Sequence, residues 1–162
     1  VYSDRKTLDS VNTTFGYTFA TPPGSGYPPI LTAHEIAPYR TFEIAGAGGH
    51  LPVLPFWQEH GRFGSLGFRF GTIAYSSDVN GLDDEAFAAL QGVDLWILDA
   101  LRYAPHPTHA NVETALAWIA RAKPKRAVLT NLHIDLDYET LRRELPPNVE
   151  PAYDGMVLSQ AL

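Results

Sequence analysis

The stretch FRFGTIAYSSDVNGL constrains this chain more than any other. Phe68, Phe70, Ile73, Ala74 and Tyr75 make an apolar run, broken at Gly71, that stops abruptly at Ser76, Ser77 and Asp78. Asn80 and Gly81 then supply a turn. An apolar strand, a carboxylate and a loop, in that order, are how α/β proteins present acidic groups at a sheet end, where ligands bind. Asp78 is therefore read as a candidate metal ligand, and the question becomes whether other strands end in the same way.

They do. Leu51 to Trp57 leads through Gln58 and Glu59 to His60, with Gly61 directly after it. Val93 to Leu98 is apolar apart from Asp94 and ends at Asp99. Arg126 to Leu129 ends in Thr130, Asn131, Leu132 and His133. Between the last two lies the loop LRYAPHPTHAN, which carries His106 and His109.

The elements around these ends follow from pattern. Asp4 is placed to cap a helix through Lys6, Leu8, Val11 and Phe15, closed by Gly16. Residues 20–29, ATPPGSGYPP, form a loop, because proline and glycine exclude helix and strand. Thr41 to Ile44, Leu51 to Trp57, Leu66 to Phe70 and Thr72 to Tyr75 predict an antiparallel meander, the last two as a hairpin around Gly71. Beyond Asp78 the chain alternates. Asp83 caps a helix that ends by Gly92, a second helix runs from about Val112 to Ala122, and a third runs from Tyr138 to Leu145. A closing strand pair is expected over Val149 to Leu158, around Asp154-Gly155. Strands then helices in this order predict an α/β layered sandwich.

Composition narrows the function. The 162 residues, 45% of them hydrophobic, suffice for one compact domain with a real core. The 12 basic residues against 18 acidic ones, a net of −6, form no basic stripe. An extended nucleic-acid surface is thereby disfavoured, and a small phosphorylated substrate is not. With no cysteine there is no disulfide framework and no thiolate metal site. No apolar run reaches membrane-spanning length and the first residues do not resemble a signal peptide, so the expected location is cytoplasmic. Val1 opens as the end of a strand, which reads as a chain entered within a domain.

The strand-end groups His60, Asp78, Asp99 and His133, with His109 nearby, combine imidazole and carboxylate. An all-nitrogen and oxygen set suits Zn, Mn or Fe in a hydrolytic site. Local roles compete with this reading. Asp78 could cap the Asn80-Gly81 turn, His60 could bond a carbonyl, and His109 could belong to the start of the 112–122 helix. Asp135 and Asp137 could orient the His133 ring or start the last helix. Arg102 and Tyr103 could line a pocket or simply pack.

The segments EHGRFGSLGFRFGTIAYSSDVNGL, DALRYAPHPTHAN, AVLTNLHIDLDYETL and PAYDG together resemble the metallo-β-lactamase fold hydrolases. Within them they are most similar to the phosphodiesterase branch typified by the cyclic-ribose-phosphate enzyme of phosphonate breakdown (PhnP-like). The resemblance spans nearly the whole chain and implies the C-terminal portion of an αββα four-layer domain. It implies that His60 ligates one of two divalent metals (Zn or Mn), that Asp78 bridges both, and that His133 ligates the second. It also implies that His109 contacts the substrate phosphate or protonates the leaving oxygen, with Asp78 and His109 as the catalytic pair. Where this chain has Ile134, the family often carries a histidine.

One departure is large. The H-x-H-x-D-H motif that completes both metal sites in that family occurs nowhere here, and neither His34 nor His50 has the neighbours to form it. In the family this motif precedes the region where the chain starts. The expected partners are therefore an N-terminal segment of the same domain and a small phosphodiester or nucleotide-like substrate. Without that segment the chain is expected to be inactive. Hydrolysis of thioesters or lactones is the alternative chemistry, and a catalytically incomplete fragment, self-associating as a homodimer or aggregate, is the alternative of another class.

Overall fold

The computed structural model describes residues 1–160. It divides into two compact units, Val1–Arg40 and Thr41–Leu162. In the first, strand β1 (Tyr2–Ser3) leads into helix α1 (Arg5–Phe15), and β1 pairs in parallel with β2 (His34–Glu35). Asp4 caps α1 as expected, accepting from the Thr7 backbone N–H at 3.1 Å and from its hydroxyl at 2.7 Å. Burial pushes this carboxyl up, but the bonds from Thr7 outweigh it and hold Asp4 below the ordinary carboxylate value. Residues 20–29 contain no helix or strand.

The second unit is built on one seven-stranded sheet whose order follows the chain. Its strands are β3 (Phe42–Gly46), β4 (Gly49–His60), β5 (Phe63–Phe70), β6 (Ile73–Ser76), β7 (Leu95–Asp99), β8 (Arg126–Thr130) and β9 (Val149–Pro151). The strands from β3 to β6 are antiparallel, giving the expected meander, and those from β6 to β9 are parallel. The parallel half needs crossovers, supplied by α2 (Asp84–Ala89), α3 (Val112–Ala122) and α4 (Tyr138–Glu144). As a result β6, β7 and β8 end side by side at the same edge.

One sheet face is buried over its centre. Phe56, Ala74, Trp96, Leu98 and Leu129 are each 0% exposed. Trp96 lies in register between Ala74 and Ala127, whose small side chains leave room for the indole. Its Nε1–H donates to the Ser76 hydroxyl at 3.0 Å, so these two buried polar groups satisfy each other. On the opposite face Trp57 and Tyr75 remain exposed.

Two expectations are corrected. The β4–β5 pairing extends to His60↔Phe63, so β5 begins at Phe63 rather than Leu66. The closing strand pair over 149–158 does not form: the Asp154-Gly155 turn is present, but only Val149–Pro151 is strand. The outer edge of β9 offers no donors, since the Val149 N–H is bonded to the Pro146 carbonyl at 2.9 Å and Pro151 has no N–H.

Candidate metal centre

His60, Asp78 and His109 converge at the edge where β4 and β6 end, each offering a ligand atom within 4.8 Å of the others. Three different elements deliver them, and each is held by an identifiable contact. His60 is the last residue of β4, and its Nδ1 lies 2.7 Å from the Thr108 carbonyl. A carbonyl can only accept, so Nδ1 carries the proton and Nε2 keeps its lone pair. Gly61 makes this approach feasible, because a Cβ there would sit 2.6 Å from Thr108 Cγ2, and its φ is +65°. Asn80 ties the same two segments together. Its Nδ2 donates to the Pro107 carbonyl at 2.7 Å, and its Oδ1 accepts from the Gly61 N–H at 3.2 Å.

His109 is anchored from below by Asp99. The Asp99 carboxylate is 0% exposed and sits 2.6 Å from His109 Nδ1. It also accepts from the Val79 N–H at 3.3 Å and from Asn131 Nδ2 at 3.1 Å. One buried carboxylate thus joins the ends of β6, β7 and β8 and fixes the His109 ring with Nε2 free. Carboxylate–imidazole pairs of this kind orient metal-binding and proton-transferring histidines alike. The sequence groups Asp99 with the strand-end candidates for metal binding; in the structure it is instead the buried partner of a histidine ten residues on.

Asp78 lies just beyond β6 with φ +54°, and Asn131 just beyond β8 with φ +61°. Asp and Asn tolerate this left-handed region better than other non-glycine residues. The Asp78 side chain is 59% exposed and 3.9 Å from His109 Nδ1, so it is available to a ligand rather than used by the scaffold.

His133 does not join this cluster. It follows β8 on a turn packed over Val112, Leu136 and Leu141, with its backbone N–H on the Leu101 carbonyl and its Nδ1 3.1 Å from the Asp135 carboxylate. Asp135 is thus the imidazole partner considered from sequence, whereas Asp137 caps α4 through the Thr140 N–H at 2.8 Å. Hydrogen bonding from Thr140, with the Arg143 charge nearby, holds Asp137 below the ordinary carboxylate value.

The remaining loop residues are committed elsewhere. The Tyr103 hydroxyl donates to Glu144 at 2.6 Å, and this bond raises its pKa. Arg102 donates to the Ala104 and Pro105 carbonyls and so braces its own loop. His106 stands 5.2 Å, ring to ring, from His109; lost hydration and the nearby Arg102 and His109 keep it below the ordinary imidazole value. A cavity of about 250 Å³ lined by Asn80, His106, His109, Asn111 and Glu113 opens beside the cluster.

Asn111 closes that cavity and starts α3. Its Oδ1 accepts from the Thr114 N–H at 2.9 Å and its Nδ2 donates to the Tyr103 carbonyl at 3.1 Å. Asn111→Ala removes the cap and strands a carbonyl, so urea unfolding is expected to show a loss of about 1–2 kcal/mol.

Comparison with known proteins identifies the fold and the family. Residues 1–134 match the family model described as a beta-lactamase superfamily domain. An octanoyltransferase of Porphyromonas gingivalis (strain ATCC BAA-308 / W83) is 32% identical over 159 residues, which cover 96% of this chain and 31% of that protein. Among solved structures, a new diphosphatase from the PhnP family has a TM-score of 0.85 at 28% identity, over 99% of this chain and 58% of that one. Zn(2+)-bound PqqB from Methylobacterium extorquens has a TM-score of 0.71 at 18% identity, over 98% of this chain and 64% of that one, a likeness of fold alone. The chain thus spans less than two thirds of each of these relatives. The sheet and its crossovers are the metallo-β-lactamase fold, and the chain belongs to the beta-lactamase superfamily.

Proposed function

We propose that this chain forms part of a metal-dependent phosphodiesterase that hydrolyses a small or cyclic phosphodiester. The observation that carries the reading is the convergence of His60, Asp78 and His109 with both imidazole Nδ1 atoms already bonded to scaffold acceptors. Such a donor set fits a hard or borderline divalent cation. His60 and Asp78 would hold the metal on this chain, with Asp78 able to share its two oxygens between two ions. His133, which stands outside this cluster, would be a ligand of the second ion, as the family resemblance implies. Two divalent cations at such a site, Zn or Mn, would supply a water of lowered pKa and Lewis-acid stabilisation of oxyanion charge.

His109 is read as the residue facing the phosphate and the leaving oxygen. Held by Asp99, it keeps one nitrogen directed away from the scaffold, from which a proton can pass to the departing group. The cavity between His106 and Glu113 gives that group a polar surround. Likeness to a PhnP-family diphosphatase, at 28% identity and a TM-score of 0.85, supports phosphoester chemistry. A thioester or lactone substrate is the alternative.

The ligands on this chain are too few for two metals. A segment bearing the H-x-H-x-D-H motif is proposed to supply the rest, and the exposed Trp57 and Tyr75 on the sheet face are consistent with a covering layer. The test is elemental analysis and turnover of the protein that contains this chain together with that segment. About two transition metals per complex and hydrolysis of bis-p-nitrophenyl phosphate are expected. Turnover of a thioester or lactone but not of the phosphodiester would favour the alternative, and metal-free protein after reconstitution would overturn both.

A further inference from the structure

Asp78 owes its position to a hydrogen-bonded relay that lies outside the ligand set itself. Gln58 on β4 and Ser65 on β5 are register partners. Gln58 is 0% exposed, in a layer otherwise filled by residues such as Phe56, Trp96 and Leu98. Its Nε2 donates to the Ser65 hydroxyl at 3.0 Å and to the Ser77 carbonyl at 3.0 Å. The Ser65 hydroxyl in turn donates to the Asp78 carbonyl at 2.7 Å. Two consecutive backbone carbonyls, those of Ser77 and Asp78, are therefore each held by a side chain, one from β4 and one from β5.

The relay is directional. Both Nε2 hydrogens of Gln58 are used, which leaves its Oε1 as a buried side-chain acceptor with no hydrogen-bond partner among the described residues. An apolar side chain of similar size would avoid that cost, and a glutamate would lack the donors. Room for the amide also comes from Gly67. A Cβ there would lie 2.5 Å from Gln58 Oε1 and 2.3 Å from the Phe56 ring. The carbonyls so held flank a residue in the left-handed region, a conformation that persists only when its surroundings dictate it.

We propose that Gln58 and Ser65 are positioning residues for Asp78, fixing the backbone geometry that aims its carboxylate at His60 and His109. This rests on the reading of Asp78 as a metal ligand. The inference is tested with Mn²⁺ alone as the probe, titrated by electron paramagnetic resonance into the protein bearing this chain and its companion segment. Wild-type protein that binds no Mn²⁺ would overturn the metal reading itself.

If wild type binds, Gln58→Leu is expected to weaken Mn²⁺ binding about 10- to 100-fold, the range for loss of a residue supporting a ligand. Gln58→Glu should weaken it as well, because packing volume is kept and donation is lost. Ser65→Ala should act in the same direction and Ser65→Thr should restore the affinity. Circular dichroism and thermal melting identify variants that remain folded. Folded Gln58→Leu or Ser65→Ala protein with wild-type Mn²⁺ affinity would overturn the positioning role even if its melting temperature had changed. Should Gln58→Leu fail to fold, the Ser65 pair decides.

Discussion

Asp78→Ala is expected to abolish both metal binding and phosphodiester hydrolysis while leaving the sheet folded. The two halves of this expectation have different origins. The Asp78 side chain is 59% exposed and has only the 3.9 Å approach to His109 among the ion pairs of the described residues, so its removal takes little from the scaffold. What keeps the position in place is its backbone, through the Ser65 bond to its carbonyl. An alanine at φ +54° costs about 1–2 kcal/mol more than a residue that tolerates the left-handed region. A small fall in melting temperature should therefore accompany the loss of function. Asp78→Asn separates the effects: it tolerates the backbone and keeps the shape, but it offers one neutral oxygen in place of a shared carboxylate. It should melt like wild type and still lack the bridging ligand. Metal content should fall from about two ions per complex in wild type, and activity should drop to background. Full metal content in folded Asp78→Ala protein would exclude the bridging role.

Much of this site was legible because its side chains sit where local pattern changes. His60 and Asp78 are recognisable as metal-capable polar groups close beyond apolar runs, and the structure brings them together with His109. The glycine after His60 is visible in the sequence, and the structure shows that Thr108 is what approaches it. What escaped local reading depends on distant partners. The start of β5 is masked by Gly64 and Ser65, which look like loop residues. Yet Gly64 is required by packing, since a Cβ there would fall 1.8 Å from the Trp57 ring. The pairing of β1 with β2 joins two-residue strands about thirty residues apart, with no periodic signal to announce it. Asp99 and Gln58 are the instructive cases. Each is a polar residue in an apolar strand, and only the fold reveals that one anchors His109 and the other holds the carbonyl before Asp78.

His109→Ala is expected to keep metal content and lose turnover, a decrease of about 10²- to 10⁴-fold for a positioned proton donor. The geometry makes the experiment decisive, because His109 also lies within ligand distance of His60 and Asp78. If it were a required metal ligand, the substitution would release metal together with activity. If it serves the leaving group, the defect should depend on the substrate. A nitrophenolate departs without a proton, so the loss should be small for bis-p-nitrophenyl phosphate and large for a phosphodiester with an alkyl leaving group. Asp99→Asn provides the matched control. It puts an amide where His109 Nδ1, the Val79 N–H and Asn131 Nδ2 all meet a carboxylate. The ring can then take the other tautomer, and a turnover loss of about 10- to 100-fold is expected with metal retained. The same substrate dependence in both variants would assign them to one proton-transfer unit. Loss of metal in His109→Ala alone would instead make His109 a metal ligand.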